Sequence, residues 1–173
     1  MSPQLERVAF ISVHACPTVR LGLRDSGGMN VYIWNMVRQL AKQGIAVDVF
    51  TRRHDKGDPE SVEMFPGARL IHINDGLRDT PKELLPSLLS DFHNNLKKFV
   101  NAHRLKYDIV HSHYWLSGLV ATKLARDWSV PHVSTFHTLA IAKALARIDG
   151  QDQPDRDLAE REIATNADLL VVS

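Results

Sequence analysis

Cysteine is nearly missing from this chain: Cys16 stands alone. A single thiol rules out an internal disulfide and agrees with a reducing compartment, so the expected location is cytoplasmic. An excess of one charge is missing too. Lys and Arg number 21 against 20 Asp and Glu, which removes the electrostatic case for nucleic acid or an anionic membrane as the main partner. No apolar run reaches the ~18–20 residues needed to span a bilayer. Residues 1–7 are polar and lead straight into a strand-like run, so no signal peptide is expected. Internal repeats and low-complexity tracts are lacking. So are a Gly-x-Ser-x-Gly elbow, a Cys-x-x-Cys pair and a Gly-x-Gly-x-x-Gly fingerprint. A dinucleotide-dependent oxidoreductase is further disfavoured because Thr51-Arg52-Arg53, not an acid, closes the second strand-like run. Cys16 has no base near it in sequence, and packing is its expected role.

What remains is an ordinary globular composition, 173 residues with 44% hydrophobic, enough for one domain with a full core. Strand-like apolar runs lie at residues 8–13, 46–51, 70–73, 108–113, 132–136 and 169–172, and helical patterns fall between most of them. Ile33, Val37, Leu40 and Ala41 recur on one helical face that Gly44 should stop; residues 86–106 read as a long helix. Leu116, Leu119, Val120 and Leu124 mark another, and residues 139–148 and 155–167 two more. Such alternation predicts an α/β fold: a Rossmann-like parallel sheet with helices on both faces. Ligands of such sheets bind outside the carboxyl ends of the strands. A last strand-like run with no closing helix reads as the front half of a longer two-domain enzyme.

The most informative run is Asp25-Ser26-Gly27-Gly28-Met29-Asn30-Val31-Tyr32. Two glycines at the mouth of a helix leave backbone N–H groups uncovered where the helix dipole is positive, a ready anion site. A glycine turn that only lets strand and helix pack closely is the competing reading. Asn30, a polar residue in the first turn of an apolar helix, favours a ligand. Thr80-Pro81-Lys82-Glu83 reads as a capping box, placing Lys82 in a first turn where the dipole disfavours a cation; Pro86 conflicts with that frame. His111-Ser112-His113-Tyr114-Trp115 follows a strand. Its histidines are expected on opposite strand faces, unable to share one ion, so no metal is expected. Tyr114 should meet a ligand and Trp115 should pack. His137 and Thr138 leave the next strand toward the same crevice, and Arg156 is read either as a surface partner of Glu160 or as a phosphate fork.

Taken together, these segments resemble the N-terminal, Rossmann-like half of the retaining family 4 glycosyltransferases, two-domain GT-B enzymes. Within that family the inositol-phosphate N-acetylglucosaminyltransferases of mycothiol biosynthesis are most similar, and sucrose-phosphate synthases are close. The matching residues are Ile11-Ser12-Val13-His14, residues 25–32, Lys82-Glu83-Leu84-Leu85-Pro86, residues 111–118, His137-Thr138 and Arg156 with Asn166-Ala167-Asp168. The resemblance implies an acceptor-binding domain over residues 1–173, with a C-terminal nucleotide-sugar-binding domain outside the chain. It implies a nucleotide sugar, a UDP-sugar, as co-substrate and no prosthetic group. Gly27 and Gly28 would lie against the donor diphosphate and His137 beside the donor sugar. Asn30, Lys82, Tyr114, Thr138 and Arg156 would bind a phosphorylated acceptor such as inositol phosphate, the last four holding its phosphate. A sucrose-phosphate-type acceptor, or a binding module without catalysis, are the competing readings. The loop 17–24 carries fewer glycines than the family's usual segment.

Overall fold

The computed structural model describes residues 5–18, 27–76, 80–81, 84–145 and 155–172. Its elements run β1 (Arg7–Ile11), α1 (Gly28–Lys42), β2 (Ala46–Arg52), β3 (Ser61–Phe65), β4 (Ala68–Ile73), α2 (Leu85–Ala102), β5 (Ile109–His113), α3 (Trp115–Trp128), β6 (His132–Phe136), α4 (Ala140–Leu145), α5 (Arg156–Asn166) and β7 (Leu169–Val172). They build one seven-stranded sheet in the order β3-β4-β2-β1-β5-β6-β7. Every pairing is parallel except β3 with β4. Numbered among themselves, the parallel strands follow the 3-2-1-4-5-6 order of a Rossmann sheet, and the order reverses between β1 and β5.

Burial explains the apolar runs of β1, β2, β4, β5 and β6, because both sheet faces are covered there, whereas the apolar edge strand β7 is largely exposed. Val8, Phe10, Val47, Val49, Ala68 and Leu70 pack with Ile33 and Val37 of α1. Ala9, Ile11, Phe50, Ile71 and Val110 pack with Leu88, Phe92 and Leu96 of α2 and with Leu116, Val120 and Leu124 of α3. Helix α1 stops as predicted. Gly44 adopts φ +79, its N–H donates to Ala41 O, and Ile45 N–H donates to Leu40 O, which is a Schellman termination.

One element departs from the sequence reading. Strand β3 is a hairpin arm missed within a segment read as loop; Val62, Met64 and Phe65 lean on the core, and Pro66-Gly67, with Gly67 at φ +83, turns the chain into β4. Helix α2 begins at Leu85, where the long helix read from residue 86 is expected to start, with Pro86 in its first turn. There the missing N–H of proline costs nothing, since the first four N–H groups have no helical acceptor anyway. The predicted capping box falls partly on Lys82 and Glu83, which lie outside the described residues; its Thr80 and Pro81 precede α2, and Leu84 N–H donates to Pro81 O at 2.9 Å.

Candidate active site

The site grows from the reversal point. Strands β1 and β5 pair side by side, and the segments leaving their carboxyl ends carry His14 and Tyr114. Tyr114 has φ +75 and ψ 159, a region populated almost only by glycine and costing ~1–3 kcal/mol for other residues. Its backbone is pinned there: Tyr114 N–H donates to Thr135 O at 3.0 Å, and Tyr114 O accepts from Gly118 at 2.9 Å to open α3. The ring, 8% exposed, meets His14 at 4.5 Å between centroids and lies under the Arg156 guanidinium at 4.9 Å.

Arg156 enters from the first turn of α5 and is only 1% exposed. Its Nε donates to Glu160 Oε1 at 2.7 Å, and one terminal nitrogen donates to Thr138 O and Oγ1 at 2.6 and 3.0 Å. Glu160 Oε2 in turn accepts the Ala140 N–H at 2.9 Å. The Glu160 pairing foreseen from spacing exists, but it is buried rather than on the surface. It sets the guanidinium between two strand-end loops. Helix α5 reaches this position because α3 offers Gly118, where an added Cβ would stand 2.5 Å from Ile163 Cδ1.

His137 stands half-buried after β6, its Nε2 3.1 Å from His113 Nδ1, with the Tyr32 ring edge-on at 5.2 Å. The sequence reading of the strand histidines is corrected here. His111 and His113 are two residues apart, so the two-residue period of a strand puts them on one face, where their rings stack at 4.5 Å. Desolvation, then the neighbouring imidazoles, push His111 down to about 4 and His113 well below the usual histidine range. Burial lowers His137 as well. Among the described residues, no group of three or more His, Cys, Asp or Glu side chains could hold a metal ion.

At the other side of the crevice, Gly27 caps α1 and Gly28 opens it, both exposed and without a side-chain cap. Neither has a positive φ, and an added Cβ at either meets nothing within 4 Å among the described residues. Packing therefore does not explain these glycines, which weakens the close-packing reading. Asn30 is buried, and its Nδ2 donates to Cys16 O at 3.2 Å, tying α1 to the loop after β1. Remote in sequence, His72 of β4 stands beside the Cys16 thiol and donates from Nδ1 to Pro59 O at 2.7 Å. Burial raises the thiol, but the His72 and Thr18 hydrogen bonds outweigh it and hold Cys16 below the ordinary value. Trp115 is packed in the core, as expected.

Of the predicted site residues, Tyr114, Thr138 and Arg156 are thus brought together and His137 follows β6 beside them. Gly27, Gly28 and Asn30 line up at the start of α1, which Tyr32 links to His137. Lys82 lies outside the described residues. The sequence gives Glu160 only a surface pairing with Arg156, and it gives His14 and His113 no site role.

A family model described as a glycosyl transferase 4-like domain matches residues 27–173. The chain belongs to the glycosyl transferase 4-like family. Its similarity to individual glycosyltransferases is substantial. It is 41% identical over 170 residues to a D-inositol 3-phosphate glycosyltransferase of Corynebacterium diphtheriae, covering 96% of this chain and 40% of that protein. With the enzyme of the same name from Geodermatophilus obscurus it shares 45% over 172 residues, 96% of this chain and 38% of that one. The sucrose-phosphate synthase structure from Thermosynechococcus elongatus superimposes with a TM-score of 0.88 at 32% identity, covering 97% of this chain and 42% of that chain. The chain therefore spans about 40% of the length of the curated relatives it matches. The glycosyltransferase fold class inferred from the sequence, a Rossmann-like α/β sheet of GT-B type, is the observed one.

Proposed function

We propose that this glycosyl transferase 4-like chain is the acceptor-binding, N-terminal domain of a retaining glycosyltransferase that moves a sugar from a nucleotide sugar to a phosphorylated polyol such as inositol phosphate. The observation that carries it is the buried Arg156 held against Thr138 and the strained Tyr114 at the reversal point of the sheet. A guanidinium positioned by Glu160, a hydroxyl and a phenol at strand ends suit a phosphate, which Arg recognises through several donors at once. Similarity to D-inositol 3-phosphate glycosyltransferases supports the acceptor.

In this reading Lys82, Tyr114, Thr138 and Arg156 hold the acceptor phosphate, and Asn30 faces the polyol hydroxyls. The bare N–H groups at Gly27 and Gly28 meet the donor diphosphate, taken as part of a UDP-sugar, and His137 stands beside the donor sugar. Transfer with retention then proceeds at the front face of the sugar, the leaving diphosphate assisting, with no protein nucleophile. A C-terminal domain supplies the remaining donor contacts, and the reaction is cytoplasmic. The sucrose-phosphate synthase likeness favours a second reading, a sugar phosphate as acceptor. Calorimetry with inositol 3-phosphate, inositol and a hexose phosphate, on an enzyme containing both domains, tests both. Inositol 3-phosphate should bind at least about tenfold tighter than inositol, as one charge-assisted partner contributes ~1.5–3 kcal/mol. Arg156→Ala and Lys82→Ala should each erase most of that margin. Equal affinity for the phosphorylated and bare polyol refutes the phosphate site; preference for the hexose phosphate selects the second reading.

A further inference from the structure

His113 and His137 leave adjacent strands and share one short contact, Nδ1 of the first to Nε2 of the second at 3.1 Å. One of these nitrogens must carry the proton, and only one can. His113 is completely buried, packed against both Phe10 at 5.2 Å and 14° and His111 at 4.5 Å and 28°. Its surroundings disfavour a charge, as burial does for His137, so each ring holds a single proton at neutral pH.

Two arrangements are then open. His113 donates from Nδ1 to His137 Nε2, leaving its own Nε2 bare; or His137 donates, and His113 carries its proton on Nε2. The buried Nε2 of His113 has no hydrogen-bond partner among the described residues. The second arrangement would bury an N–H with nothing to accept it, whereas the first leaves only a ring lone pair unpaired. Orphaned buried N–H groups are the rarer fault in folded proteins.

We infer that His113 is a positioning residue: it holds His137 in the Nδ1–H tautomer, so that His137 meets its substrate as a neutral hydrogen-bond donor and not as a base. With Nε2 occupied, the only proton His137 offers lies on Nδ1, and its partner must be an oxygen acceptor such as a sugar hydroxyl or phosphoryl oxygen. The substrate assignment rests on the proposed function, but the tautomer is a property of the chain alone.

Long-range proton–nitrogen correlation spectra of the nitrogen-15-labelled chain at pH 7.5, with His137→Gln for assignment, read the tautomer directly. The expected spectrum shows His137 protonated at Nδ1 and bare at Nε2. His113→Phe keeps a ring in the stack and removes the donor, so His137 should revert to the Nε2–H form that free imidazole prefers. His113→Asn, whose amide N–H can stand near the Nδ1 position, should retain Nδ1–H. A parent His137 protonated at Nε2 overturns the inference, and the parent spectrum decides this even if His113→Phe does not fold. In the two-domain enzyme, His113→Phe should lower kcat/KM for the donor about tenfold, the scale of one neutral hydrogen bond, with recovery in His113→Asn. Tautomer loss with unchanged turnover would overturn the positioning role. Failed acceptor binding with the Nδ1–H tautomer intact would instead count against the proposed function.

Discussion

Replacing Glu160 is the sharpest test of how the site is held. Its carboxylate accepts from Arg156 Nε at 2.7 Å and from the Ala140 N–H at 2.9 Å, and the two side chains are 6% and 1% exposed. Glu160→Ala removes both acceptors and leaves a guanidinium buried without its counter-charge. Breaking a buried pair from one side costs ~3–5 kcal/mol. For a domain of this size each kcal/mol lowers Tm by about 2–4 °C, so the loss should be roughly 6–20 °C. Glu160→Gln keeps the shape but has one acceptor oxygen for two donors, and its NH2 must face the other. Losing one charge-assisted bond costs ~1.5–3 kcal/mol, a smaller drop of roughly 3–12 °C. The same helix supplies a control: Arg161 and Asp157 pair at 2.9 Å with the same i,i+4 spacing, but at 69% and 49% exposure. Arg161→Ala should melt with the parent, because water screens an exposed pair and long side chains lose entropy in holding it. Thermal unfolding followed by circular dichroism at pH 7.5 compares all three. If Glu160→Ala melts with Arg161→Ala, the buried pair does not hold the Arg156 arrangement and the reasoning from burial fails. Acceptor affinity, measured below the melting range, should fall with Glu160→Ala even though Glu160 is assigned no contact with the ligand.

Stability should also fall on mild acidification. Burial lowers His111 and His132 to about 4 and pushes His113 in the same direction. The unfolded chain, with histidines near 6.5, therefore binds more protons, and the contribution present above ~6.5 is lost as pH falls toward 4. By pH 5 that is on the order of 2 kcal/mol for each of His111 and His132, opposed by His72, which its hydrogen bond to Cys16 raises. Urea midpoints at pH 7.5, 6 and 5 should decline in order; a flat series contradicts the buried neutral histidines. Gly118→Ala forces Ile163 away from α3, and overpacking of this kind costs ~1–3 kcal/mol, against a gain of up to ~1 in helix propensity. It should lower Tm modestly and weaken acceptor binding by displacing α5 and its Arg156; an unchanged affinity would show that α5 tolerates the shift.

Much of this molecule was legible before any coordinates. Six parallel strands are legible as apolar-rich runs, five of them because strands covered on both faces bury most of their side chains, and Gly44 marks a helix end because glycine enters its left-handed turn cheaply. Parallel topology also gathers all strand carboxyl ends at one edge, so Tyr114, His137 and Thr138 could be nominated from position alone. Tertiary structure decided the rest, wherever the determining partner is remote in sequence. Burial of Arg156 depends on Gly118 letting α5 approach, and the imidazole beside Cys16 comes from β4, 56 residues away by numbering. The positive φ of Tyr114 is imposed by Thr135 and Gly118 rather than by its own preferences. Strand β3 needs β4 to exist, since an isolated arm has no ladder to join. The register of β5 on β6 sets His113 opposite Thr135, two residues short of His137, and so brings the two imidazoles within reach: a local pattern sets which face a side chain takes, but only strand pairing sets which residues stand beside it.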